Sequence, residues 1–216
     1  MWFDLAAQKP KLKIWEDSER SYLKLLRQPK IDHAQDARLR RSWWDIVGVV
    51  DWPITGILGL RQDRRYPLVI ANLLSRLGDG PIYVLIIAAL FLFHPHEAGL
   101  ILACALPSVA LLHIVYPPLK RFTARPRPRD VKPIFPEWPH PALDRFSFPS
   151  GHVMTLTAAL TPIVYVTPRT WPVAVAAWVA MAWSRLAIGQ HFASDVAAGT
   201  ILGVAVSGLW TYLIAS

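Results

Sequence analysis

The chain has 216 residues, 53% of them hydrophobic, with 10 Trp, a positive mean hydropathy and a formal net charge of +8. It is too apolar for a soluble domain and too short for several domains, and its single cysteine, Cys104, excludes a disulfide framework and a thiolate metal site. Its basic residues punctuate apolar segments, which favours anionic headgroups or a phosphorylated substrate over nucleic acid.

From the N-terminus, residues 1–45 mix Lys, Arg, Asp and Glu with scattered apolar positions and lack the Leu-rich stretch of a signal peptide. They are predicted to be a charged segment, surface-lying or partly disordered, ahead of one membrane-embedded domain over residues 46–216. Residues 43–60 have the apolarity of a span, but Asp45 and Asp51 would each cost about 2.5–3.5 kcal/mol near a helix centre. Pro53 adds a break. This stretch and residues 65–77 are expected to be interfacial helices, with Trp43, Trp44 and Trp52 anchored at headgroup level.

Five segments follow, near residues 80–94, 98–118, 151–168, 171–188 and 193–215, each apolar enough to cross a hydrocarbon core of about 30 Å at about 1.5 Å per residue. Lipid offers no partner to an exposed amide, so each must be a helix. Pro117 and Pro118 are expected to end the second span, and Pro168 with Pro172 to bracket the turn between the third and fourth. Cys104, inside the second, packs or faces lipid. The predicted fold is all-α: a multi-pass transmembrane helical bundle of five spans plus N-terminal interfacial helices.

Three short blocks carry the chemistry: KRFTARPRP at residues 120–128, PSGH at 149–152 and SRLAIGQHFASD at 184–195. The first follows the second span, the next opens the third, and the last runs from the fourth into the fifth. An alternating bundle therefore brings all of them to one membrane face. In the first block Lys120 and Arg127 flank a turn stiffened by Pro126 and Pro128. Arg grips two phosphate oxygens and Lys adds a point charge, although a plain juxtamembrane basic run has the same composition. Arg121, Arg125 and Arg129 are expected to be solvated or headgroup-facing.

In the PSGH block, Pro149 stops the preceding structure, and Ser150, Gly151 and His152 present helix-start N–H groups to an anion, a pattern that ordinary capping also produces. In the last block His191 and Asp195 share a helix face. A carboxylate there takes one imidazole N–H, fixes the tautomer and frees the other nitrogen to attack. Arg185 completes a cationic cradle. A structural polar network is the competing reading, while a metal pair is disfavoured because two imidazoles and one carboxylate sit amid several cations. His94, His96, His113 and His140 lack a spaced partner set and are expected to be interfacial or packing residues.

The spacing Lys120-x6-Arg127-Pro128, then Pro149-Ser150-Gly151-His152, then Ser184-Arg185-x5-His191-x3-Asp195 resembles the signature of the type 2 phosphatidic acid phosphatase superfamily. That family includes bacterial lipid phosphatases and undecaprenyl pyrophosphate phosphatases and shares its site with vanadate-dependent haloperoxidases. The resemblance runs from about Val50 to the C-terminus, through Leu77-Gly78-Asp79-Gly80, and leaves the first 45 residues uncovered. It implies that His191 is a nucleophile forming a phosphohistidine and that Asp195 orients it. It further implies that His152 protonates the leaving group and then helps activate water. Lys120, Arg127, Arg185, Ser150 and the Gly151 amide would bind the phosphoryl oxygens. No cofactor and no metal are implied, the cations standing in a metal's place.

The partners expected are a membrane lipid phosphate and the bilayer, without nucleic acid; the sequence carries no signal for oligomeric state. Isoprenoid or undecaprenyl pyrophosphate, phosphatidate, phosphatidylglycerol phosphate and lipid A phosphate all suit a site that meets headgroups laterally, and the compact bundle resembles the isoprenoid branch. The link over 129–148, with Pro133, Phe135, Pro136, Trp138, Pro139 and Pro141, reads as a stiff amphipathic cover or as a plain connector. With five spans, residues 1–78 carry 14 Lys/Arg and residues 119–150 carry 7, all on the motif face, against Arg169 opposite. Positive-inside reasoning then puts the site on the cytoplasmic side of a bacterial plasma membrane. Many bacterial relatives work on the outer face, and a sixth span over 43–60 would turn the site outward. Two other classes remain: a non-catalytic lipid-phosphate binder or transporter, against which intact His152, His191 and Asp195 speak, and a vanadate haloperoxidase, against which five spans speak.

Overall fold

A computed structural model describes residues 34–59, 65–131, 135 and 144–215, without the side chains of 34–43 and 65. Most of the predicted charged segment 1–45, the Trp43 side chain, His140, and Pro133, Pro136, Trp138, Pro139 and Pro141 of the link lie outside the described residues. The chain divides into two compact units, Met1–Leu39 and Arg40–Ser216; of the first, only residues 34–39 are described, as the start of a helix.

The described residues are helical or loop, with no strand among them. In chain order the helices are α1 (Ala34–Leu58), α2 (Arg65–Leu77), α3 (Pro81–Phe93), α4 (Ala98–Thr123), the single turn α5 (Pro128–Val131), α6 (Gly151–Val166), α7 (Trp171–Ala187) and α8 (Ala193–Ala215). A 3₁₀ turn, Pro168–Thr170, joins α6 to α7 as the flanking prolines require.

Each of the five predicted spans coincides with a helix. By length and apolarity two of the helical stretches can cross a bilayer, Ala98–Val131 and Ala193–Ala215, and a third crossing is formed if α2 and α3, bent by 66°, make one span. The 16 residues of α6 and 13 of α3 reach only about 24 Å and 20 Å, short of a core of about 30 Å. Bands of exposed apolar side chains, such as Leu85 and Leu92 on α3, Ile114 on α4, Val173 on α7 and Leu213 on α8, are the surface a lipid phase would cover.

One boundary differs from expectation. Pro117 and Pro118 do not end α4, which continues to Thr123. Membrane helices tolerate proline where neighbouring groups take up the freed backbone. The helix stops instead at Ala124, whose left-handed conformation (φ 47°) returns its N–H to the Lys120 carbonyl at 2.9 Å. Lys120 thus sits on the last turn.

The core is built on α6. Val153 and Leu156 pack with Met181 and Leu186 of α7 and Val196 of α8, while Met154 and Ala158 pack with Leu112 of α4. Helices α6 and α8 touch at backbone distance because α8 offers glycines one turn apart: a Cβ on Gly199 would lie 2.6 Å from the Ser150 carbonyl oxygen, and one on Gly203 2.7 Å from that of Met154. This contact seats the start of α6 against the start of α8. Cys104 is buried, in keeping with a packing role.

Candidate active site

The C-terminal turns of α4 and α7 and the N-terminal turns of α6 and α8 meet at one end of the bundle. There, Lys120, Arg127, Gly151, His152, Arg185 and His191 line a cavity of about 570 Å³. The three predicted cations are each nine-tenths or more buried. Arg185 brings Nε and Nη2 to this site without a hydrogen bond to any described residue. Burial of a charged fork left unbonded is costly unless an anion meets it.

Lys120 and Arg127 share a partner the sequence did not flag. Lys120 Nζ lies 2.9 Å from both carboxylate oxygens of Asp144, and Arg127 Nη2 lies 2.8 Å from Oδ1. Burial acts to raise the Asp144 pKa, but the Lys120 and Arg127 charges and the Lys120 hydrogen bond outweigh it and hold the carboxyl below its ordinary value. The other Arg127 nitrogen, Nη1, donates to the main-chain oxygen and Oε1 of Gln190.

His191 lies in the loop before α8 and is 2% exposed. Its Nδ1 is 2.7 Å from the Ser147 carbonyl oxygen. A carbonyl only accepts, so Nδ1 carries the proton and Nε2 keeps its lone pair. Asp195 was expected to take this N–H; its Oδ2 is 3.7 Å from Nδ1 and instead accepts the Phe192 N–H at 2.8 Å. The carboxylate therefore acts on the ring mainly through its charge. Burial first, then the charges of Arg127, Lys120 and Arg185, push the His191 pKa well below its ordinary value, which leaves a neutral imidazole.

His152, the second residue of α6, is partly buried, with Nε2 2.7 Å from Asp79 Oδ1. Asp79 sits in the break between α2 and α3, where Gly78 has no room for a side chain: a Cβ would lie 2.6 Å from the His152 ring. Non-helical backbone at this depth is placed where it lines a cavity. Ser150 departs from expectation. Its N–H, predicted to face an anion, donates to the Asp195 carbonyl at 3.0 Å, because the glycine contact of α8 brings that carbonyl alongside. Its hydroxyl is buried without a hydrogen bond to a described residue, so Gly151 and His152 are the residues of this block that border the cavity.

Behind His191, Arg125 is 2% exposed, which overturns its expected solvated place. It bonds Asp195 Oδ1 through Nη1 at 2.6 Å and Asp51 of α1 through Nη2 at 2.5 Å. Its guanidinium carbon lies 4.4 Å from the Trp44 ring centroid and 4.1 Å from that of Phe192. Arg121, by contrast, is exposed as expected, whereas Arg129 departs from expectation: its side chain is 19% exposed, with Nη1 buried.

Comparison with known proteins gives the family and the fold. The model of the PAP2 superfamily matches residues 100–216, more than half the chain. The chain belongs to the PAP2 superfamily. It is similar to decaprenylphosphoryl-5-phosphoribose phosphatase of Mycobacterium tuberculosis, at 28% identity over 69% of this chain and 90% of that protein. Among solved structures it shares the fold of a transmembrane PAP2 type phosphatidylglycerolphosphate phosphatase from Bacillus subtilis, with a TM-score of 0.59, 23% identity and 78% and 86% of the two chains covered. Aquifex aeolicus LpxE gives a TM-score of 0.60 at 18% identity, covering 76% of this chain and 95% of that one. As a PAP2 member the chain is a phosphoric ester hydrolase.

All three signature blocks of this PAP2 chain fall within the matched stretch, whereas Asp51 and Asp79 lie before it. Asp79 had a sequence signal in the Gly78-Asp79-Gly80 run. Asp51 had been visible only as a cost in an apolar helix. Asp144 sits beside a proline-rich link with no pattern to mark it, and the Ser147 contribution is main-chain, which no side-chain pattern reveals.

Proposed function

We propose that this protein removes a terminal phosphate from a polyprenyl-linked lipid phosphate at the membrane surface, through a phosphohistidine on His191. The observation that carries the reading is the placement of the free Nε2 of a neutral His191 among Lys120, Arg127 and Arg185. In the first step Nε2 attacks phosphorus, the bond from phosphorus to the leaving oxygen breaks, and His152 gives that oxygen a proton. In the second, water attacks the phosphohistidine, its proton passes to His152, and the P–N bond breaks to release phosphate. Lys120, Arg127, Arg185 and the Gly151 amide hold the equatorial oxygens through both steps. Asp195 balances the charge that develops on His191, and the Ser150 N–H holds the Asp195 main chain in place.

A lipid substrate is supported by a second cavity, of about 330 Å³, lined by Leu90, Ile101 and Val109 among other apolar residues. Asp79, Tyr83, His113 and Thr155 border both cavities, so a headgroup in the first leaves its hydrocarbon chain in the second. The polyprenyl class is supported by the printed name of the mycobacterial relative, a decaprenylphosphoryl-5-phosphoribose phosphatase. Phosphate release from polyprenyl-phosphate sugars carrying a terminal phosphate, polyprenyl pyrophosphate, phosphatidate and phosphatidylglycerol phosphate tests it. Faster release from the polyprenyl lipids is expected, and equal or faster release from the diacyl lipids would replace that class.

For topology we propose five crossings in a bacterial plasma membrane, with α1 lying along the site's face. Trp44 and Asp51 both touch Arg125, two turns apart on one side of α1, and Trp52 meets Phe192 at 5.0 Å. The excess of Lys and Arg in segments 1–78 and 119–150 over the opposite loops supports a cytoplasmic site.

A further inference from the structure

Asp51 lies on α1, outside the stretch matched by the family model and outside every signature block, yet it is 2% exposed and fully bonded. Its Oδ2 accepts from Arg125 Nη2 and from Ser194 Oγ at 2.6 Å, and its Oδ1 accepts the Ser194 N–H at 2.9 Å. Arg125 gives its other nitrogen to Asp195 Oδ1 and to Ser194 Oγ, both at 2.6 Å. The three charged groups form a row, Asp51–Arg125–Asp195, ending behind the His191 ring.

We propose that Asp51 is a positioning residue for His191, acting through Arg125 and Asp195. When Nε2 bonds to phosphorus while Nδ1 keeps its proton, the ring becomes cationic, in a pocket already holding Lys120, Arg127 and Arg185. The negative charge that balances it comes from Asp195. Arg125 on its own would cancel that carboxylate; with Asp51 bonded to its far side the row keeps a net charge of −1, and in a buried setting a unit of charge is weakly screened. The row also fixes geometry. Ser194 and Asp195 open α8, and the bonds from Asp51 and Arg125 to these residues hold the loop that carries His191.

The test compares full-length wild type, Asp51→Asn, Arg125→Gln, the double variant and His191→Ala in detergent, reading kcat, KM and the first-turnover rate of phosphoenzyme formation. Asp51→Asn is expected to lower kcat and the first-turnover rate roughly 10- to 100-fold, with KM within about twofold of wild type. Adding Arg125→Gln restores the net −1 and recovers part of that loss, which a purely structural contact would not do. A normal kcat in Asp51→Asn, or a double variant slower than both single ones, overturns the proposal. If Asp51→Asn does not fold, Asp51→Glu carries the test, since it keeps the charge and moves it: a lower kcat at constant KM is expected, and an unchanged kcat overturns the role. The inference rests on His191 as nucleophile. An active His191→Ala variant would refute that reading, whereas an inactive one beside an unaffected Asp51→Asn would refute only Asp51.

Discussion

The Nδ1 of His191 lies 2.7 Å from the carbonyl oxygen of Ser147, closer than the 3.7 Å that separates it from Asp195. The main chain therefore sets the tautomer, and the carboxylate supplies charge. Asp195→Asn should lower kcat by about 100-fold, while His191→Ala should remove turnover, a loss of about 10⁴-fold or more. Steady-state kinetics on purified variants checks this. Equal losses in the two would show that Asp195, and not Ser147, holds the ring.

Burial and three cations keep His191 neutral at pH values where an unfolded histidine, with a pKa of about 6.5, takes up a proton. As pH falls through that value the unfolded chain binds the extra proton first, so His191 adds nothing above it and destabilises the fold increasingly below it. Thermal unfolding in detergent between pH 7.5 and 5 should show a smaller acid loss for His191→Asn than for wild type. Matching losses would contradict the depressed pKa.

Asp144 bonds the same two cations that the proposed mechanism gives to phosphate, so carboxylate and phosphate compete. Asp144→Asn should tighten inhibition by inorganic phosphate several-fold. Because the folded carboxyl is held below the ordinary value of about 3.9, this competition is fully present at neutral pH and is lost only as pH falls below that value. Inhibition constants at pH 5.5 and 7.5 should therefore differ between variant and wild type by the same factor. Weaker phosphate binding in Asp144→Asn would make Asp144 a support of the cradle and not a competitor.

The site's face is open to a direct probe. Arg145 is exposed beside Asp144, and the native Cys104 is buried. Arg145→Cys in intact cells should resist an impermeant thiol reagent and react after permeabilisation. Labelling in intact cells would turn the site outward.

How much of this was legible in the sequence depends on where each group's partner lies. Lys120, Arg127, His152, Arg185 and His191 sit at helix ends defined by local apolar runs, and their convergence follows from span order alone. Arg125 was one basic residue among several in its block, and only Asp51, 74 positions away, makes it a buried link. Asp51 looked like a cost because its bonded state is invisible along the chain. The run past Pro117 and Pro118 was hidden for a similar reason: proline's penalty reads locally along the chain, whereas a membrane helix tolerates it through surroundings that the chain order does not display.

In the proposed mechanism His191 carries the phosphate between the two steps. Lipid substrate labelled in its terminal phosphate, mixed with enzyme in EDTA and quenched with alkali after a few milliseconds, should leave an alkali-stable, acid-labile label on the peptide bearing His191 and none on the His191→Ala variant. Undiminished hydrolysis by that variant, label on another residue, or full loss of activity in EDTA would contradict it.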